Sequence, residues 1–127
     1  MTMTMDYALL ISLLICHFVA DYVLTTPAMI EAKATGKRMI HIVLHAGIHT
    51  VLMGGVLIVF GATIYVTSML VLLELLSHFF IDYGKGWIGR RFPSCGDNKQ
   101  KVFWVLYGFD QLLHLLVIVL IVKMCGV

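Results

Sequence analysis

The sequence predicts an all-α integral membrane protein, a four-helix bundle with a short interfacial helix. Two observations support this fold class. Of the 127 residues, 61% are hydrophobic and 13% are charged, whereas a soluble domain has about 45–50% apolar and about 25% charged residues. Four apolar runs are each long enough to cross a bilayer, which takes roughly 20 residues. Four such spans leave no room for a second domain, so we expect a single transmembrane domain over residues 1–127.

The first predicted span covers residues 6–24. It is longer than the apolar segment of a signal peptide, and no Lys or Arg precedes it, so we expect it to remain as a helix. A short helix follows it. Thr26 can cap the first turn of this helix, Pro27 suits its first position, and Gly36 suits its end. These signals predict a short interfacial helix between the first two spans.

The other three predicted spans cover residues 39–60, 62–82 and 102–122. Spans two and three meet at Gly61, which leaves room only for a tight turn. Between spans three and four, residues 84–100 contain four glycines, a proline and the Gly96-Asp97-Asn98 turn signal. We therefore expect an irregular connection there. Connections of this length are usually functional.

Basic residues lie almost entirely on one side of the predicted bundle. Eight of the nine Lys and Arg residues fall in the first and third connections, and only Lys123 falls on the opposite side. By the positive-inside rule, those connections are cytoplasmic and both termini lie outside. We expect a multi-pass membrane protein. The eight residues are Lys33, Lys37, Arg38, Lys85, Arg90, Arg91, Lys99 and Lys101.

Charge and cysteine content argue against two classes of function. The net charge is only +2, and the basic residues occupy short loops instead of a continuous face. Nucleic acid is therefore not an expected partner, whereas membrane lipid is. The three cysteines have no CxxC spacing, which argues against a disulfide framework and against a thiolate zinc site.

Each predicted span carries two ionisable residues four positions apart. This spacing places both side chains on one face of a helix. Counted at about 1.5 Å per residue from the cytoplasmic ends, all four pairs fall in the cytoplasmic half of the bundle or near its middle. Four separate segments thus predict one polar layer. The pairs are His17 and Asp21, His45 and His49, His78 and Asp82, and Asp110 and His114.

A buried layer of this composition indicates a metal site. A carboxylate at the centre of a membrane helix costs about 2.5–3.5 kcal/mol to insert, and an interhelical hydrogen bond contributes only about 0.6 kcal/mol. Structural zinc sites bind with about 10–16 kcal/mol. Histidine and carboxylate without thiolate suit Zn, Mn or Fe, and helix bundles build dinuclear sites from facing helices. We predict two divalent ions held by these eight residues, although any one pair alone would more simply be a hydrogen-bonded contact.

Three further ionisable residues lie beside this layer. Glu74, one turn before His78, is a ligand, a partner of a ligand or a general base, and its position leaves these roles open. Lys85, three residues after Asp82, either sets the topology or faces an anionic substrate. We take Glu74 and Lys85 as the candidate catalytic residues. His41 is expected at the membrane interface, outside the site.

Gly47, Gly54 and Gly61 form a seam of small residues on the face of span two opposite to His45 and His49. Seams of this kind allow membrane helices to pack closely. The seam predicts either a homodimer through span two or close packing against a neighbouring helix of the same chain.

Four motifs follow one another along the chain: His17-Phe-Val-Ala-Asp21-Tyr, Leu44-His45, Ser77-His78-Phe-Phe-Ile-Asp82-Tyr-Gly-Lys85 and Asp110-Gln111-Leu-Leu-His114. They resemble the motifs of a family of short bacterial and phage membrane proteins, domain-of-unknown-function family 3307. The resemblance covers nearly the whole chain and implies a location in the bacterial inner (cytoplasmic) membrane. More loosely, His45-Ala-Gly-Ile-His49 is similar to the histidine motif of inner-membrane proteins predicted to be metal-dependent hydrolases, which implies a metal site.

We expect a metal-dependent hydrolase that acts from the cytoplasmic side on a lipid or phosphoester substrate. Its ions would acidify a water molecule and polarise an ester or phosphoryl oxygen. One alternative is an ion or proton transport protein, because intramembrane His and Asp also mark ion paths. Another is a phage membrane interaction protein whose metal only holds the helices together. Against transport, residues 50–73 and 115–122 contain no His, Lys, Arg, Asp or Glu.

Overall fold

The computed structural model describes residues 6–126, which form helices joined by short connections, and the all-α prediction is confirmed. A π-helical segment, Val19–Val23, continues the first helix, and a 3-10 turn, Pro93–Gly96, follows the fourth. The α-helices are α1 (Tyr7–Phe18), α2 (Pro27–Thr35), α3 (Met39–Val59), α4 (Ile64–Arg91) and α5 (Lys101–Cys125).

Three of these helices, α3, α4 and α5, are long and apolar enough to span a membrane. The stretch Tyr7–Val23 reaches the same length only together with α2, from which it is bent by 97°. Many large apolar side chains, such as Leu72 and Leu116, are exposed on the outside of the bundle. An exposed apolar surface of this extent is expected of helices that face lipid. A crossing by the first segment alone remains a prediction.

The short helix α2 begins and ends at the predicted residues. The Thr26 hydroxyl accepts a hydrogen bond from the Met29 backbone N–H at 3.3 Å, and Pro27 occupies the first helical position. Gly36 ends the helix in the left-handed conformation, with φ of 63°, which glycine adopts without a steric penalty. Its right-angle bend from the preceding helix suits the predicted interfacial placement.

The prediction of an irregular connection over residues 84–100 is wrong in its first half, because α4 continues to Arg91. The glycines there allow close packing instead of a turn. A Cβ atom on Gly86 would lie 2.5 Å from the backbone nitrogen of Gly36 and 2.6 Å from the backbone oxygen of Lys33. Only a glycine lets α2 approach α4 this closely.

The bundle is divided into an apolar half and a polar half. The apolar core lies at the end that holds the first turns of α1, the α3–α4 turn and the last turns of α5. The polar layer lies toward the opposite end, beside α2. The core residues are Leu9, Leu13, Met53, Leu57, Leu70, Ile118, Ile121, Val122 and Cys125.

One glycine of the seam on α3 packs against another helix of the same chain. A Cβ atom on Gly54 would lie 3.2 Å from the Val71 side chain and 4.0 Å from that of Thr67, both on α4. Gly47 and Gly61 have no such neighbour within 4 Å among the described residues. Gly54 therefore supports helix packing inside the bundle, and a homodimer through the seam remains a prediction.

Candidate metal centre

The four predicted pairs converge in one buried layer. All eight side chains are at most 9% exposed, and they come from α1 with its π-helical extension, α3, α4 and α5. Imidazole rings stack at its centre, with ring centroids 3.8 Å apart between His49 and His78 and 4.1 Å apart between His78 and His114.

Asp21 lies within the π-helical segment. The backbone N–H of Leu24 donates to the Val19 carbonyl at 2.9 Å, which closes the wider π turn. Single π turns inside helices frequently occur at functional sites. From this turn the Asp21 carboxylate reaches both α3 and α5.

A first group of potential ligands forms around this carboxylate. Asp21 Oδ1 lies 3.0 Å from His45 Nε2 and 3.1 Å from His49 Nε2. Together with a nitrogen of His78, these ligand atoms lie within 4.8 Å of one another. The group has the size and composition of a site for a divalent ion.

A second group forms around Asp82 on α4. Its Oδ1 lies 3.2 Å from His114 Nε2, and its Oδ2 lies 3.3 Å from His78 Nε2. Asp82 Oδ2 is also 3.7 Å from His45 Nε2. This carboxylate therefore joins the second group to the first.

His78 belongs to both groups, but it has only one nitrogen to offer them. Its Nδ1 lies 3.2 Å from the Glu74 carboxylate, so Nε2 faces the site. One imidazole nitrogen binds one ion. Two ions would thus divide the cluster into two triads, each with two histidines and one aspartate. We call Asp21, His45 and His49 the first triad and His78, Asp82 and His114 the second triad.

Polar atoms without partners favour a cation in the second triad. Among the described residues, seven buried side-chain polar atoms make no hydrogen bond, and two of them, His78 Nε2 and Asp82 Oδ2, belong to the second triad. A buried polar atom without a hydrogen bond costs about 1–3 kcal/mol. A divalent ion would satisfy both atoms of the second triad.

The charges of the polar layer also favour a bound cation. Four buried carboxylates contribute negative charge, from Asp21, Glu74, Asp82 and Asp110. Two ammonium groups oppose them, those of Lys33 and Lys85. With neutral histidines, two negative charges remain uncompensated, which is unfavourable in a buried site. One divalent ion would neutralise the layer, and a second would require an additional anion, such as hydroxide, to balance its charge.

Two predicted ligands, His17 and Asp110, lie beside these groups and outside both. His17 Nε2 is 3.3 Å from Asp21 Oδ2. Asp110 Oδ1 is 3.6 Å from His114 Nε2, and its Oδ2 accepts from Lys85 at 3.1 Å. In this arrangement they contact the ligands of the two triads. His41 is half-buried and belongs to neither group.

Sequence reasoning missed two residues that contact the site. The sequence identifies Lys33 only as a residue that sets the membrane orientation. In the structure its Nζ lies 3.4 Å from Asp21 Oδ1 and 3.1 Å from His45 Nε2. Gln111 donates from Nε2 to Asp21 at 3.3 Å and to Asp110 at 3.2 Å. A glutamine next to Asp110 inside an apolar run was a usable signal, whereas nothing in the sequence connects Lys33 to the histidines.

Comparison with known proteins identifies a family but no characterised relative. A family model described as "Protein of unknown function (DUF3307)" matches residues 9–127, a range that contains all four motifs of the buried layer. No curated protein and no solved structure matches the chain.

Proposed function

The chain belongs to the DUF3307 family, and from the geometry of its buried layer we propose that it is a membrane-embedded, metal-dependent hydrolase of a lipid or phosphoester substrate. The observation that carries this proposal is the pair of adjoining metal-capable groups that share His78. Two bound ions would divide them into two triads, each with two histidines and one aspartate. Sites with three protein ligands keep positions open for water and substrate, which is typical of catalytic metals. Sites that only stabilise a fold are usually closed by four ligands.

Bound divalent ions would supply a water molecule of lowered pKa and would polarise the scissile ester or phosphoryl oxygen. The protein's own residues orient these ligands. Glu74 accepts from His78 Nδ1 and so presents Nε2 to the site, as carboxylates commonly do behind metal-bound histidines. This contact favours a positioning role for Glu74 over the general-base role that the sequence left open.

The arrangement of the two halves supports an enzyme that works from one side. The apolar core fills the bundle beyond the polar layer, from Leu13 on α1 to Ile121 on α5. An ion path would need polar groups through that half. The polar layer opens instead toward α2 and the basic connections, where a cavity reaches Asp21.

Metal content of the purified protein tests the proposal. We expect about two equivalents of Zn, Mn or Fe per chain, one for each triad. His49→Ala and His114→Ala should each lose about one equivalent, because each removes a ligand from a different triad. His41→Ala is the matched control, since this histidine lies on α3 outside both groups, and its metal content should not change.

The second measurement is phosphate release from a long-chain alkyl phosphate in detergent micelles. Wild-type protein loaded with metal should release phosphate, and both alanine variants should lose this activity. Absence of stoichiometric metal in wild-type protein would refute the proposed metal site. Full metal content without turnover of alkyl phosphates or other esters would refute the hydrolase and favour a metal that only stabilises the bundle.

A further inference from the structure

A cavity of about 370 Å³ adjoins the metal centre between α2, the π-helical segment, α4 and α5. Small-molecule sites typically measure about 300–1,000 Å³. Its charged lining residues are Asp21, Lys33 and Lys85. Because Asp21 belongs to the first triad, a molecule in the cavity lies directly against the predicted ligands.

We propose that this cavity binds the phosphate group of a membrane amphiphile and that Lys33 and Lys85 are its anion-binding residues. The inference rests on the proposed function, since it names the substrate class of the same site. Lysine is a common phosphate ligand that acts as a compact positive charge. Both lysine side chains are half-buried, with exposures of 14% and 16%, and each ammonium group contacts a carboxylate of the polar layer.

Lys33 contacts the same two atoms that an ion in the first triad would bind. Its Nζ lies 3.4 Å from Asp21 Oδ1 and 3.1 Å from His45 Nε2. An ammonium group and a metal ion cannot use the same lone pairs, and their positive charges repel. Metal bound by the first triad would therefore displace Lys33 into the cavity that it already lines. Metal binding and anion binding would then be coupled through one side chain.

Lys85 approaches the cavity from α4. Its Nζ donates to Asp110 Oδ2 at 3.1 Å and lies 5.4 Å from the centre of the Tyr107 ring. Tyr107 and Tyr22 both line the cavity, and their hydroxyl groups are 2.7 Å apart. These contacts hold the Lys85 ammonium group at the wall of the cavity that α5 forms.

The remaining walls favour an amphiphile over a soluble phosphate ester. Ile30, Phe103 and Leu106 contribute apolar surface to the cavity. Ile30 and Tyr22 are also more than half exposed on the apolar exterior of the bundle. An alkyl chain attached to the phosphate can therefore leave the cavity along surface that faces lipid, and its burial there adds to the affinity.

Calorimetric titration of the metal-loaded, full-length protein in neutral detergent tests this inference. The probes are dodecylphosphonate, which has no ester bond to hydrolyse, and inorganic phosphate. Dodecylphosphonate should bind at a saturable site, and inorganic phosphate should bind at least about tenfold more weakly because it lacks the chain. Lys33→Met and Lys85→Met should each weaken dodecylphosphonate binding by about tenfold or more.

Matched controls distinguish the loss of an anion-binding lysine from a general loss of positive charge and from misfolding. Lys37→Met and Lys99→Met remove exposed lysines of the same connections and should leave the affinity within about twofold. Lys33→Arg and Lys85→Arg retain the charge and should keep most of the affinity.

Lys33→Met should also bind metal several-fold more tightly, because a competing positive charge is gone. A variant that is merely misfolded would lose metal binding.

Equal binding of dodecylphosphonate by wild type, Lys33→Met and Lys85→Met would refute the assignment of the lysines. Equal affinity for inorganic phosphate and dodecylphosphonate would refute the amphiphile and indicate a soluble ester. In both cases the metal content of the same samples remains stoichiometric. The metal content therefore distinguishes failure of this inference from failure of the proposed metal site.

Discussion

Among individual side chains, His78 is the one that belongs to both metal-capable groups. Its Nε2 faces Asp82, while its Nδ1 is held by Glu74 on the preceding turn of α4. A hydrogen bond to one ring nitrogen sets which nitrogen is available to a metal, and it fixes the plane of the ring. Glu74 thus acts on the site through His78, although none of its own atoms belongs to either metal-capable group.

Replacement of Glu74 by alanine should weaken metal binding by about 10–100-fold, the usual effect of removing a carboxylate behind a metal-bound histidine. The physical reason is that His78 loses the contact that orients its ring. Competition with a chelator of known affinity measures the change. Glu31→Ala removes an exposed carboxylate on α2 and should have no effect. Equal metal affinity of Glu74→Ala and wild type would contradict the positioning role.

Two structural features bring the residues of the site together: a π turn and a close contact between two helices. The π turn at Val19–Val23 places Asp21 among the histidines of α3. The glycine contact between α2 and α4 brings Lys33 within reach of His45, since Gly86 lets the backbone of Gly36 approach closely. Both features are departures from regular, well-separated helices, and both lie next to the polar layer.

The substitution Gly86→Ala should destabilise the protein by about 1–3 kcal/mol, as overpacking typically does. The new methyl group would meet backbone atoms of α2 at 2.5 Å and 2.6 Å, and backbone atoms cannot move aside as a flexible side chain can. Thermal unfolding followed by circular dichroism in detergent measures the loss.

Gly84→Ala provides the control on the same helix. No neighbouring atom lies within 4 Å of a Cβ built there, among the described residues. Because alanine is favoured over glycine inside a helix by about 1 kcal/mol, this variant should be as stable as wild type or more stable. If the two variants unfolded at the same temperature, the close contact between α2 and α4 would not be important for stability.

Across the bundle, polarity is strongly asymmetric along the helix axes. The metal-capable groups, the cavity and most of the basic residues lie toward one end, and the apolar core fills the other. The exterior carries exposed apolar side chains along the three long helices. This distribution suits a protein whose site is reached from the side of the membrane on which the basic connections lie.

We predict that the basic connections are cytoplasmic and that both termini lie outside, from the excess of eight basic residues against one. Alkaline phosphatase, which is active only outside the cytoplasm, can be fused after Val127 or within the third connection after Lys99. The first fusion should be active and the second inactive. The reverse pattern would show the opposite orientation and would place the cavity on the outer side.

Short-range signals were sufficient for much of the fold and for the composition of the site. The caps at Thr26 and Gly36 correctly predicted α2, because a cap involves only residues within one turn of the helix end. The i, i+4 pairs correctly predicted a common layer, because the spacing alone places both side chains on one face. These properties belong to a continuous segment and can be recognised before the helices are placed.

Contacts between distant segments decided the rest. Gly84, Gly86 and Gly89 resemble turn residues in the sequence, yet they lie inside α4, and at Gly86 the absence of a side chain accommodates another backbone. The division into two triads, the placement of His17 and Asp110 beside them, and the contact of Lys33 with His45 all depend on how the helices cross. Crossing geometry arises from the packing of several helices at once, so no single stretch of the chain contains it.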